Sequence, residues 1–221
     1  MKKILFSLVF IICSNAMFSQ NQLSLEEQLY LACIHSDVII VRELIARGAD
    51  VNKQVQDGHV AIIGATMVNN AEITKILLAA GANVNIANNE GFTALINASL
   101  NGNTEIVHLL LEEGANINFR NNAGISAFMF AAQSGHLETT RLLINSGANI
   151  NEGSNSGTTA LMNAASWGHT EIVELLILNN VNINQRNFMG QTALQMAQGM
   201  RMIVGVDNTD AINLLQRAGA R

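Results

Sequence analysis

The residues best equipped for chemistry in this chain are five histidines, His35, His59, His108, His136 and His169, and a cysteine, Cys33. Imidazoles can hold a metal or move a proton. His136 and His169 each follow a glycine and occupy equivalent places, 33 residues apart. Ligands of one zinc ion must each approach to ~2.0–2.1 Å, whereas neighbouring packed helices lie ~8–10 Å apart. That pair is therefore badly placed to share an ion, and the other three histidines show no ligand spacing. No glycine-rich stretch ends in Gly-Lys-Ser or Gly-Lys-Thr, and Gly199 to Gly205 is not a dinucleotide fingerprint. No serine sits in a G-x-S-x-G setting. Glu105, Glu138 and Glu171 recur at one position, the start of a helix, where carboxylates compensate the helix dipole. The chain is expected to carry no catalytic group, no metal and no cofactor.

The elements that would position these residues are marked by a repeated pentapeptide. GADVN begins at Gly48, GANVN at Gly81 and GANIN at Gly114 and Gly147, with a degenerate NVNIN at Asn180. A fixed period of 33 residues marks an array of one supersecondary unit rather than a domain around a central core. Residues 88–118 show the unit plainly. Asn88-Asn89-Glu90-Gly91 is a turn signal, and Thr93 can cap a short helix whose apolar face holds Ala94, Leu95 and Ala98. A second helix opens at Thr104-Glu105, and Ile106, Val107, Leu109 and Leu110 give it an apolar stripe at helical spacing. It stops at Gly114, in a column with Gly48, Gly81, Gly147 and Asn180, residue types that tolerate a left-handed helix end. The turn between the two helices carries Ser36, Asn69, Gly102, Gly135, Gly168 and, after realignment, Asp207. Cys33 shares a column with Ala132 and Ala165, which points to a small buried side chain.

These units resemble ankyrin repeats, most plainly at GFTALINASLNGNTEIVHLLLEEGANIN (91–118), GISAFMFAAQSGHLETTRLLINSGANIN (124–151) and GTTALMNAASWGHTEIVELLILNNVNIN (157–184). The resemblance implies an all-α repeat solenoid: six stacked helix-turn-helix units, joined by β-hairpin loops, at about 24–51, 52–84, 85–117, 118–150, 151–183 and 184–221. The chain departs from the family pattern in three ways. Alanine replaces the proline of the helix-opening T-P-L-H, as in Thr93-Ala94-Leu95. Ile63, Ile96, Met129, Met162 and Gln195 replace its histidine, so the return hydrogen bond to the capping residue should be absent. The last unit carries six extra residues around Arg201 to Val206, either a longer helix or turn, or an apolar finger for a partner, a membrane face or a second copy.

The first nineteen residues differ in kind. Lys2 and Lys3 precede an apolar run from Ile4 to Ile12 broken by Ser7, and Ser14 and Ala16 suit cleavage after Ala16, or alternatively near Ser19. This pattern predicts a secretory signal peptide over 1–19, because about nine apolar residues fall short of the ~20 that span a bilayer. An exported protein follows, in the periplasm first and otherwise outside the cell, with residues 20–221 as the repeat domain and no membrane span after cleavage. The formal charge of −5 becomes −7 once Lys2 and Lys3 leave. Such a chain lacks the cationic surface that binding nucleic acid needs.

Recognition of an unidentified protein is the function left. Partners of similar proteins dock on the hairpin tips and the exposed side of each first helix, which implies a partner surface at His59, Met67, Phe92, Leu100, Ile125, Gln133, Trp167, Phe188 and Met189. Aromatic residues and methionine are enriched at interfaces, and tryptophan is a frequent hot spot; Trp167 leads the set. The protein is expected to be a monomer on its own. Two alternatives stay open: a small-ligand binder or enzyme using the groove, and a self-associating structural protein using 201–206.

Overall fold

The computed structural model describes residues 23–221; the expected signal peptide lies outside them. Twelve α-helices follow one another as six pairs. They are α1 (Leu25–Ile34) with α2 (Val38–Ala46), α3 (Ala61–Met67) with α4 (Ala71–Ala79), and α5 (Ala94–Leu100) with α6 (Thr104–Glu112). The series continues with α7 (Ala127–Gln133) and α8 (Leu137–Asn145), α9 (Ala160–Ser166) and α10 (Thr170–Leu178), and α11 (Ala193–Val204) and α12 (Thr209–Arg217). Most are seven or nine residues long, too short to persist alone in water, so packing must hold them. Odd-numbered helices stack on one another as an inner layer and even-numbered helices as an outer one.

The repeated sequence columns are the core. Ile63, Ile96, Met129 and Met162 are sealed from solvent, as are Leu95, Phe128 and Leu161 one residue earlier. Cys33, Thr66, Ser99, Ala132 and Ala165 form a column of small, fully buried residues. In the outer layer Ile106, Val107 and Leu110 are buried, whereas Leu109 is only half-buried. The expected stripe is thus narrower than its sequence suggested, because α6 packs on α5 and on its flanking neighbours α4 and α8 and leaves its outward face open.

Helix ends follow the columns. Gly48, Gly81, Gly114, Gly147 and Asn180 all take positive φ, from 58° to 91°. Thr93 Oγ1 accepts from Ile96 N at 3.3 Å, and Ser126, Thr159 and Thr192 repeat this cap. The return bond expected to be missing is replaced in two units. Gln195 Oε1 accepts from Thr192 N at 3.0 Å, and Met162 Sδ takes a weak contact from Thr159 N at 3.4 Å.

Between pairs, the loops are hairpins reduced to their turns. Each closes with one i to i+4 backbone bond, such as Asn88 N to Phe92 O at 3.0 Å and Asn187 N to Gln191 O at 3.0 Å. Isolated bridges join Arg120 to Ser126 and Gly153 to Thr159. The pentapeptide's final asparagine fastens one unit to the next: Asn85 Oδ1 accepts from Asn116 N at 2.7 Å while its Nδ2 donates to Gly114 O at 3.2 Å. Asn52, Asn118, Asn151 and Asn184 repeat parts of this seam, and Asn184 ends it by accepting from Arg221 N at 2.9 Å.

The extra residues of the last unit continue its first helix, making α11 twelve residues long against seven in α9. It stops at Gly205 with φ 74°. That glycine, not Asp207, holds the left-handed turn of the last pair, a correction to the aligned column. Asn208 then ties the pair down, donating to Ala197 O at 2.7 Å and Ser166 O at 3.2 Å.

Candidate functional site

The histidines that looked most able to do chemistry are built into the scaffold. His136 Nε2 donates to Leu100 O and His169 Nε2 to Gln133 O, both at 2.9 Å. Each reaches the last turn of the preceding unit's inner helix, so the glycine–histidine pair latches one unit to the next. His108 faces Glu112 on the exposed side of α6 at 3.2 Å, and His35 Nδ1 contacts Leu31 O at 2.7 Å. Glu105, besides opening α6, meets Lys75 Nζ of the neighbouring unit at 2.6 Å.

The predicted partner residues divide by their surroundings. Trp167 caps the C-terminal end of α9 and stays 47% exposed beside Ala164, Ala165 and Ser166, which are buried. Phe188 and Met189, at the last hairpin tip, are 82% exposed. Met67, at the end of α3, is also exposed. Phe92, Leu100 and Ile125 are half-buried, and the Phe92 ring packs on Phe130 with centroids 5.5 Å apart. Gln133 is a brace as much as a surface residue: its Oε1 accepts from Asn163 Nδ2 at 3.3 Å. His59 stacks on Tyr30, centroids 5.3 Å apart and 28° between planes.

Three of the nine predicted residues, His59, Met67 and Phe92, line one cavity of about 450 Å³. The others lie outside its lining. Asp57 and Glu90 also border it, and their 33-residue separation was visible in the sequence. Asn97 lines it too; sequence reasoning missed it because it sits on a helix otherwise read as core. Tip asparagines have a different task. Asn122 Nδ2 donates to Asn89 O at 2.8 Å and Asn155 Nδ2 to Asn122 O at 2.9 Å, a ladder that Phe188 continues only through its backbone N–H to Ser156 O.

Short paired helices in two layers, each pair touching its neighbours along a repeated seam, define an all-α repeat solenoid. Two family models match: one described as ankyrin repeats (3 copies) over residues 29–121 and 128–220, and one described as ankyrin repeats (many copies) over 104–144. The chain belongs to the ankyrin-repeat family. No curated protein matches it. Ankyrin repeats are generally protein–protein interaction modules and typically non-catalytic. Among the described residues no helix is long and apolar enough to cross a membrane.

Proposed function

We propose that this protein is a non-catalytic docking module of the cell envelope, holding a protein partner across its hairpin tips and the concave ends of its inner helices. One observation carries the reading: Trp167, a residue type that dominates many interfaces, stands 47% exposed at the end of α9, directly after the sealed residues Ala164, Ala165 and Ser166. Met67, Phe188 and Met189 add exposed apolar area on the same classes of position. The envelope assignment draws on Lys2, Lys3 and the apolar run Ile4–Ile12, which has signal-peptide form. The partner is one exported protein, and the module is a monomer before it binds.

Crosslinked capture from the organism's own envelope fraction tests this, with the Trp167→Ala/Phe188→Ala double variant as control. The expected outcome is one dominant partner for the parent and its loss in the variant. Trp167→Ala alone should weaken binding of that partner by about 2 kcal/mol or more with helical circular dichroism unchanged. Undiminished capture removes Trp167 from the surface.

A further inference from the structure

We propose that the cavity between the second and third units is a receptor for one arginine side chain of a partner protein, an inference that rests on the docking reading above. The cavity, about 450 Å³, takes Asp57 from one tip and Glu90 and Phe92 from the next, with Met67 and Asn97 from the inner helices. Its size falls among those of pockets that enclose small groups. What distinguishes it is an excess of acceptors. Neither the Asp57 nor the Glu90 carboxylate has an ion pair or a side-chain hydrogen bond among the described residues. Asn97 is 92% buried, being 8% exposed. Its Nδ2 is spent on Thr93 O at 3.3 Å, and its Oδ1 has no partner among the described residues. Two exposed carboxylates and one amide oxygen without a protein donor border the same space, a setting that suits a ligand made of donors.

A guanidinium has five N–H donors and no acceptor. It pairs with carboxylates through a planar fork and stacks on aromatic faces. Phe92 supplies such a surface: its ring packs on Phe130, and its backbone is fixed by Asn88 Oδ1, which accepts from Phe92 N at 2.8 Å and Glu90 N at 3.1 Å. Met67 offers an apolar wall for the methylene stem. Lysine would satisfy the charge but not the flat geometry of the ring. The tips that carry the two carboxylates are also fixed relative to each other, because Asn89 N donates to Asp57 O at 2.9 Å. The receptor is therefore formed before a partner arrives.

The test is NMR titration of the full chain with N-acetyl-arginine methylamide, its lysine counterpart and the neutral isostere N-acetyl-citrulline methylamide. Expected are saturable millimolar shifts confined to Asp57, His59, Glu90, Phe92 and Asn97 for arginine, smaller ones for lysine and none that saturate for citrulline. Asp57→Asn with Glu90→Gln should weaken arginine binding about tenfold. Both replacements keep the shape, and Asn suits the left-handed backbone of Asp57 at φ 59°. Equal binding of citrulline, binding unchanged in the double variant, or no saturation by arginine overturns the proposal. Trp167→Ala should leave arginine binding intact. If arginine fails to bind while Trp167-dependent capture persists, only the receptor falls; loss of both removes the docking reading as well.

Discussion

Cys33 illustrates how a potentially reactive residue becomes part of the stack. It is fully buried in the column of small residues between inner helices, and that burial pushes its thiol from an ordinary 9.0 up to about 12. Below pH 9 the thiol is protonated in folded and unfolded chains alike, so the stability of its burial is fully present. As pH rises from 9 towards 12 the unfolded chain loses the proton first, and stability drains at roughly 1.4 kcal/mol per pH unit for one such group. Thermal melts from pH 8 to 11 should therefore fall more steeply for the parent than for Cys33→Ala. Parallel curves would mean that the thiol ionises as freely inside the fold as outside it. The sequence disclosed this residue's setting well, because alanine fills two of the four other places in its column. It did not disclose Asn97, whose unpaired oxygen depends on where Thr93 O happens to lie.

At the level of the helix pair, two glycines with similar backbone angles do different work. Gly114 has φ 80° and open space where a Cβ would point; Gly102 has φ 71°, and a Cβ there would run into the His136 ring. Gly114→Ala should cost about 1–2 kcal/mol from the left-handed backbone alone. Gly102→Ala should cost more, since it also displaces the histidine latch to Leu100 O, a bond worth about 0.5–1.5 kcal/mol. Equilibrium denaturation of the two variants separates these terms, and equal losses would show that the latch adds nothing. Pair boundaries were legible because capping residues, left-handed stops and apolar stripes agree in most units, although α3 opens at Val60 with no side-chain cap and the fifth unit stops at Asn180. The return bond made by Gln195 was not foreseen, although its side-chain oxygen can accept from the capping residue's N–H three positions back. The pattern left the lean of Phe92 and Ile125 open between solvent and the neighbouring unit, since tip positions of one column can face either, and both are half-buried.

Across the described residues the last unit differs most from the others. The added turns of α11 leave Met202, Ile203 and Val204 exposed at 86%, 84% and 59%, the largest departure from a polar terminal cap. Sequence alone offered a longer helix or a finger, and the extension is helical; alignment across the insertion misplaced the turn because Gly205 lies inside it. Replacing all three by serine should shift unfolding free energy by no more than about 0.5 kcal/mol per site, as their side chains bury little. Sedimentation of parent and variant should give monomers for both. A parent dimer that the serines dissolve would reassign this segment to self-association and displace the monomeric reading.

The asparagine seam has a consequence for how such a molecule can change length. Before the last unit, each asparagine Oδ1 accepts from a backbone N–H 31 positions ahead, as Asn52 from Asn83 and Asn151 from Asn182, so no such rung depends on how many others exist. A duplication of 33 residues starting anywhere inside a unit would present each new asparagine with the backbone it needs. Growth or loss by whole periods leaves every splice intact, whereas a single inserted residue breaks one.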